Sequence, residues 1–125
     1  ANEAIIAVMN KVKPPYNVSQ LNQEAAVLAL ADEANFKSNV ALIKVERGKL
    51  KNALLELDFV LKIYPSEANF LLVEMENATA IYNSLIEQQI ITRNRSFVVE
   101  NTIRITIGTP RENQQLMYAL QLIES

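Results

Sequence analysis

The segment Thr102, Ile103, Arg104, Ile105, Thr106, Ile107 alternates polar and apolar residues without a break. Successive side chains of an extended strand point to opposite faces, so this period predicts a strand whose three isoleucines point one way and whose Thr102, Arg104 and Thr106 point the other. A strand patterned like this belongs in a sheet covered on one side, which sets the chain apart from an all-helical bundle. The covering helix follows directly. Thr109, Pro110, Arg111 and Glu112 give an N-cap threonine, proline at the first helical position and glutamate three residues after the cap, and Leu116, Met117, Leu120 and Ile123 form the stripe to be buried.

The rest of the chain reads as helices interleaved with two further short strands. Ile5, Ile6, Val8, Met9 and Val12 recur at helical spacing over Glu3 to Val12, and Pro14 and Pro15 end that helix. Tyr16, Asn17 and Val18 read as extended, with Ser19 capping a helix from Gln20 to about Asp32. The row Phe36, Val40, Ile43, Arg47, Leu50, Leu54, Leu57, Leu61, in steps of four and three, predicts one long helix. Only Arg47 breaks the row, beside Gly48, which costs up to about 1 kcal/mol in a helix interior. Glu46, Glu56 and Asp58 with Lys44, Lys49, Lys51 and Lys62 are expected on its solvent side.

Phe70 to Met75 reads as a strand covered on both faces, after a turn at Pro65 and Ser66. Asn77 is the expected N-cap of a helix over Ala78 to Gln89 carrying Ile81, Tyr82, Leu85 and Ile86. Ile90, Ile91 and Thr92 are the other short strand, running into Arg93. The expected class is therefore α+β, a small α/β sandwich with a three-stranded sheet covered by helices, in one domain over residues 1–125.

Composition removes most catalytic devices. The 125 residues contain no His and no Cys, so there is no imidazole base, no Ser-His-Asp or Cys-His nucleophile, no zinc finger and no disulfide. Gly48 and Gly108, the only two glycines, stand far apart and cannot form a phosphate-cradling loop. A net charge of −2 with few aromatics and no basic stripe argues against nucleic acid, and no apolar run approaches a membrane span. The first residues read as a helix cut from a longer chain and not as a signal peptide.

Four of the five arginines, Arg93, Arg95, Arg104 and Arg111, lie near the end of this slightly acidic chain. Arginine presents a planar fork of donors that grips carboxylate or phosphate with two hydrogen bonds. Arg95 and Arg111 read as surface residues. Arg104, between isoleucines in mid-strand, is open to two readings, a structural ion pair or a ligand contact. If its strand pairs with that of Arg93, the two guanidinium groups can converge on one anion.

The strings KVKPPYNVSQLNQEAA (Lys11 to Ala26), PSEANFLLV (Pro65 to Val73), TRNRS (Thr92 to Ser96) and IRITIGTPREN (Ile103 to Asn113) together resemble the C-terminal part of the histidinol-phosphate aminotransferase family, pyridoxal-phosphate enzymes of the aspartate aminotransferase fold. The resemblance runs in order over nearly the whole chain. It implies the small domain of a fold type I pyridoxal-phosphate transferase, which closes over the substrate, without the large domain that binds the cofactor. Arg104 matches the family arginine that binds the substrate's carboxylate or phosphate, and Arg93 the second, phosphate-associated one, here followed by Asn94 where many relatives have aspartate. Asn17 and Asn69 lie in cleft-bordering segments and are carried as weaker substrate-binding candidates.

None of the seven lysines has the sequence context of the cofactor lysine, so this chain alone is expected to bind no pyridoxal phosphate and to be inactive. The resemblance further implies a small-molecule phosphate or carboxylate substrate, a homodimer for the intact enzyme and a cytoplasmic location. The competing expectation is a free-standing helical protein-protein interaction module using the Phe36 to Leu61 row.

Overall fold

The structure, a computed structural model, describes residues 2–12 and 19–124; the candidate Asn17 lies outside them. The chain was expected to form one domain, and its contacts group into two compact units, Ala1–Phe36 and Lys37–Ser125. The first holds α1 (Glu3–Val12), α2 (Gln20–Ala31) and the start of α3 (Glu33–Leu54). The Ser19 side chain caps α2 by accepting from the Asn22 amide, and no residue of α1 or α2 is buried.

The second unit contains the rest of α3, β1 (Val60–Ile63), β2 (Phe70–Met75), α4 (Ala78–Glu87), β3 (Arg93–Asn94), β4 (Thr102–Thr106) and α5 (Pro110–Glu124). The class is α+β as expected, with a sheet of four strands in the order β1-β2-β4-β3 where three were expected. All three strand pairs are antiparallel. The core gathers alternate strand residues, Leu71, Val73, Met75, Ile103 and Ile105, with Leu50 and Leu54 of α3, Ile81 and Leu85 of α4, and Leu116 and Leu120 of α5. β2 is buried at every second residue, so only one of its faces is fully covered, contrary to the expectation from its apolar run.

The extra strand comes out of the long apolar row. α3 stops at Leu54, where the amides of Glu56 and Leu57 tighten onto the carbonyls of Ala53 and Leu54, and Val60–Ile63 turns back as β1. Leu57 still points into the core from the turn, whereas Leu61 is exposed at a register irregularity of the β1–β2 pair. The four-three spacing runs on across this break because both a turn and a strand can offer apolar residues at those positions. Pairing with β2 overrides the helical period. Glu46 also departs from expectation: it is buried, not solvated.

Two helix ends differ from their sequence signals. Asn77 precedes α4 as expected, but it is left-handed with φ 51° and makes no capping bond through its side chain. α4 ends without glycine by placing Gln89 in the left-handed region, with Ile90 N–H donating to Leu85 and Gln89 N–H to Ile86. That double bond pattern is a Schellman closure built on glutamine. The next strand accordingly begins only at Arg93, later than the Ile90 start expected for it.

Candidate functional site

β4 holds the site because its two neighbours fix it on both edges. Arg104 pairs across to Leu72 of β2 on one side and to Arg93 of β3 on the other. Directly opposed residues of an antiparallel pair project from the same face, so the register puts the two arginines side by side on the face opposite Ile103 and Ile105. The Arg104 guanidinium lies 5.3 Å from the centre of the Phe70 ring, a cation–π distance. Its Nε is buried and has no hydrogen-bond partner. Among the described residues no carboxylate forms an ion pair with Arg104 or Arg93, so the pairing reading of Arg104 finds no acid to support it.

Two like charges directly opposed on a strand pair repel, and a buried guanidinium nitrogen without an acceptor is costly. Both costs vanish when one anion bridges the pair. At the other end of the same face opposite charges stand across from each other. Lys62 pairs across to Glu74, its ammonium sits 4.6 Å over the Tyr64 ring, and the Tyr64 hydroxyl donates to Glu74 at 3.0 Å. That bond holds the Tyr64 hydroxyl above its ordinary value of 10.0.

Asn94 points away from the arginines: its amide donates to Thr79 on α4 at 3.2 Å and its carbonyl accepts from the Ser96 amide at 2.9 Å. Asparagine is thus occupied in holding β3 on α4. Arg95 stacks 5.2 Å over Phe97 and Arg111 is exposed in the first turn of α5, so neither joins the pair. Asn69 is exposed, and its carbonyl accepts from the Ile107 amide at 2.8 Å, which extends the β2–β4 ladder.

The frame under β4 includes two residues that sequence reasoning missed. Asn113 accepts from the Gly108 amide at 3.0 Å, donates back to the Gly108 carbonyl at 3.2 Å, and donates to the buried Glu46 at 3.1 Å. Lys49 donates to the other Glu46 oxygen at 2.8 Å, and the bonds from Lys49 and Asn113 hold the Glu46 carboxyl below its ordinary range. The clasp ties the end of β4 to α5 and α3. Gly108 is required there by close approach, since a Cβ would stand 2.9 Å from both Cβ and Oε2 of Glu112. Glu112 in turn closes the expected capping box, accepting from the Thr109 amide at 2.7 Å while its own amide donates to the Thr109 hydroxyl at 3.3 Å. Those bonds from Thr109 hold the Glu112 carboxyl low. A spacing signal for Glu46 existed, because it stands three residues after Ile43 and four before Leu50, on the same helical stripe.

A cavity of about 520 Å³ lies near the end of β4, walled by Ile90, Thr92, Ile107 and Leu116. Its one charged wall residue, Glu112, is a carboxylate that repels an anion, while the buried Thr92 hydroxyl in the same wall has no partner. No described cluster of His, Cys, Asp and Glu could hold a metal ion, and no described helix is long and apolar enough to cross a membrane.

The described residues thus form a helix-backed antiparallel sheet that presents Arg93 and Arg104 from adjacent strands with no acid paired to either. A family model for aminotransferases of class I and II matches residues 1–120, and the chain belongs to that family. Members of the family in general depend on pyridoxal phosphate. The chain is 49% identical over 123 residues to the histidinol-phosphate aminotransferase of Parabacteroides distasonis, covering 97% of this chain and 36% of the relative. It is 46% identical over 125 residues to the enzyme of that name from Flavobacterium johnsoniae, covering 98% and 36%. Among solved structures, the histidinol-phosphate aminotransferase of Clostridium acetobutylicum matches with a TM-score of 0.85 and 25% identity over 98% of this chain and 38% of that one. A putative aminotransferase from Burkholderia pseudomallei gives 0.83 and 28% over 99% and 38%. The chain thus spans little more than a third of the length of these relatives.

Among the described residues no lysine fits the one that holds the family's cofactor. A lysine that forms a Schiff base is desolvated to lower its pKa, whereas every described lysine is exposed and Lys49 is bound to Glu46.

Proposed function

We propose that this chain is the substrate-closing small domain of a histidinol-phosphate aminotransferase, which moves an amino group between L-glutamate with 2-oxoglutarate and histidinol phosphate with imidazole-acetol phosphate in histidine biosynthesis. The observation that carries the proposal is the Arg93–Arg104 register on one sheet face, with Arg104 Nε buried and unpartnered. The arginines bind the phosphate or carboxylate of the substrate by charge-assisted hydrogen bonds, and Phe70 under Arg104 limits the directions its guanidinium can take. Their contribution to rate is positioning, which lowers the entropic cost of bringing the reacting atoms together. Asn17 is retained as a third substrate-binding residue on the resemblance alone.

Pyridoxal phosphate belongs to the intact enzyme, a cytoplasmic homodimer on this reading. This chain alone binds none and is inactive, so adding the cofactor to it should leave no visible absorbance after dialysis. The competing module reading loses its free helix face, because Leu50, Leu54 and Leu57 of the row are buried in the core. The decisive experiment is Arg104→Ala in the intact enzyme. The apparent KM for the phosphorylated substrate should rise with cofactor absorbance unchanged; an unaltered KM for both substrates overturns the role.

A further inference from the structure

We propose that the outer surface of α3 around Gly48 is a second anion site, separate from the arginine pair and suited to a diphosphate group. Lys44, Arg47, Gly48 and Lys51 fall at spacings of three, four and seven, which places them on one helix face. Opposite them runs the segment from Tyr64 to Glu67, and the two enclose a recess of about 260 Å³. Gly48 forms part of its wall. A Cβ there would meet nothing within 4 Å, so no internal contact requires glycine in the middle of this 22-residue helix. What glycine does is leave the space between the two lysines open.

The recess is positive in a chain whose net charge is −2. Of its three cations, Arg47 is committed, donating to the Ala68 carbonyl at 2.8 Å and to Glu67 at 3.1 Å. Glu67 is the one carboxylate of the lining, and its side chain is 95% exposed. Lys44 and Lys51 form no ion pair or hydrogen bond with any described residue. The hydroxyl protons of Tyr64 and Ser66 are both used, toward Glu74 and the Phe70 carbonyl. The lysines are thus the free donors.

Seven residues apart, the two lysines are separated by about 10.5 Å along the helix axis. Their flexible arms can close inward over Gly48 on two linked phosphoryl groups. A single carboxylate or orthophosphate engages them less completely. The chemistry recognised is a diphosphate, whether inorganic or part of a nucleotide. Because the site is exposed, its affinity should fall as ionic strength rises.

The test is titration of the isotope-labelled 125-residue chain with pyrophosphate, orthophosphate and ADP at low salt, read by amide chemical shifts. The chain and its Arg93→Ala, Arg104→Ala double variant are compared. Pyrophosphate should shift the amides of Lys44 to Lys51 and of Ser66 and Glu67 in both proteins. ADP should match pyrophosphate, and orthophosphate should bind more weakly. Lys44→Gln with Lys51→Gln should weaken pyrophosphate by about tenfold or more. Gly48→Leu should also weaken it while raising the melting temperature, a combination that a purely structural glycine does not produce. Shifts confined to the neighbours of Arg93 and Arg104, or binding unchanged in the lysine double variant, overturn the site. Orthophosphate binding as tightly as pyrophosphate overturns its diphosphate assignment. Loss of the shifts around Gly48 with those around Arg104 intact leaves the proposed function standing.

Discussion

The two faces of the sheet are built from the same strands and do opposite work. On one, Leu71, Val73, Met75, Ile103 and Ile105 are all at most 2% exposed and close against α3, α4 and α5. On the other, one residue along each strand, Phe70, Leu72 and Arg104 are half-buried, Arg93 is exposed, and the two cations face each other without an acid. A face that buries apolar surface stabilises the fold. A face that opposes like charges destabilises it and persists only because the first face compensates. Parity along β4 thus separates Ile103 and Ile105, whose substitution should report on stability, from Arg104, whose substitution should report on substrate binding on the proposed function; Thr102, of the same parity as Arg104, is nevertheless buried.

The largest effect belongs to the covered face. Ile105→Ala removes a side chain that is 1% exposed from the centre of the core and should lower the unfolding free energy by about 2–5 kcal/mol. Chemical denaturation of the 125-residue chain checks it. A loss below about 1 kcal/mol would mean that the two faces are not as different as their burial indicates.

Next comes the clasp that holds β4 in place for both faces. Asn113→Ala leaves the Gly108 amide and one oxygen, Oε2, of the buried Glu46 without a partner, the other oxygen keeping Lys49, and should cost about 1–3 kcal/mol. In the intact enzyme the same change should raise KM, since the strand carrying Arg104 loses its anchor. Stability lost with KM unchanged would confine the clasp to the covered face.

The capping box gives a smaller effect with a defined pH signature. Glu112 is held below its ordinary carboxyl value of 4.5 by the bonds from Thr109, and Glu46 below the same value by Lys49 and Asn113. A carboxyl depressed in the folded state adds stability that is fully present above its unfolded value and is lost as pH falls through the folded value. The melting temperature of Glu112→Gln should therefore lie below that of the parent chain at neutral pH, and the gap should close on acidification below about 4.5. Tyr64 is raised, so its share has the opposite sign: present below 10.0, lost as pH climbs through the folded value, and absent from Tyr64→Phe.

Much of this arrangement was legible because it depends on short-range patterns. The alternation of Thr102 to Ile107 read out both faces of β4, and Thr109 to Glu112 read out the start of α5, since strand parity and capping are local. β1 was not legible. Val60–Ile63 becomes a strand through its pairing with β2, a non-local contact, while Leu57 and Leu61 happened to prolong the helical spacing. Arg47 looked like a fault in an apolar row and proves to be a tether to Ala68 and Glu67. The Arg93–Arg104 juxtaposition fell between these cases. Sequence offered two arginines and the condition that their strands pair, and only the register could meet that condition.

The smallest effect is the sharpest test of the open face. If Arg93 and Arg104 repel across the β3–β4 pair, replacing Arg93 with leucine should relieve that repulsion and stabilise the chain by about 0.2–1 kcal/mol, an unusual sign for removing a charged residue from an edge strand. The gain should shrink as salt screens the pair, because Arg93 is exposed. On the proposed function added orthophosphate should reverse the order, since an anion held between the two guanidinium groups would stabilise the parent chain by mass action and Arg93→Leu would forgo that benefit. Urea denaturation of both chains, with and without phosphate at constant ionic strength, reads the four values. Arg93→Leu destabilising without phosphate would mean that Arg93 has a structural partner, and a parent chain indifferent to phosphate would mean that the two arginines do not act on one anion.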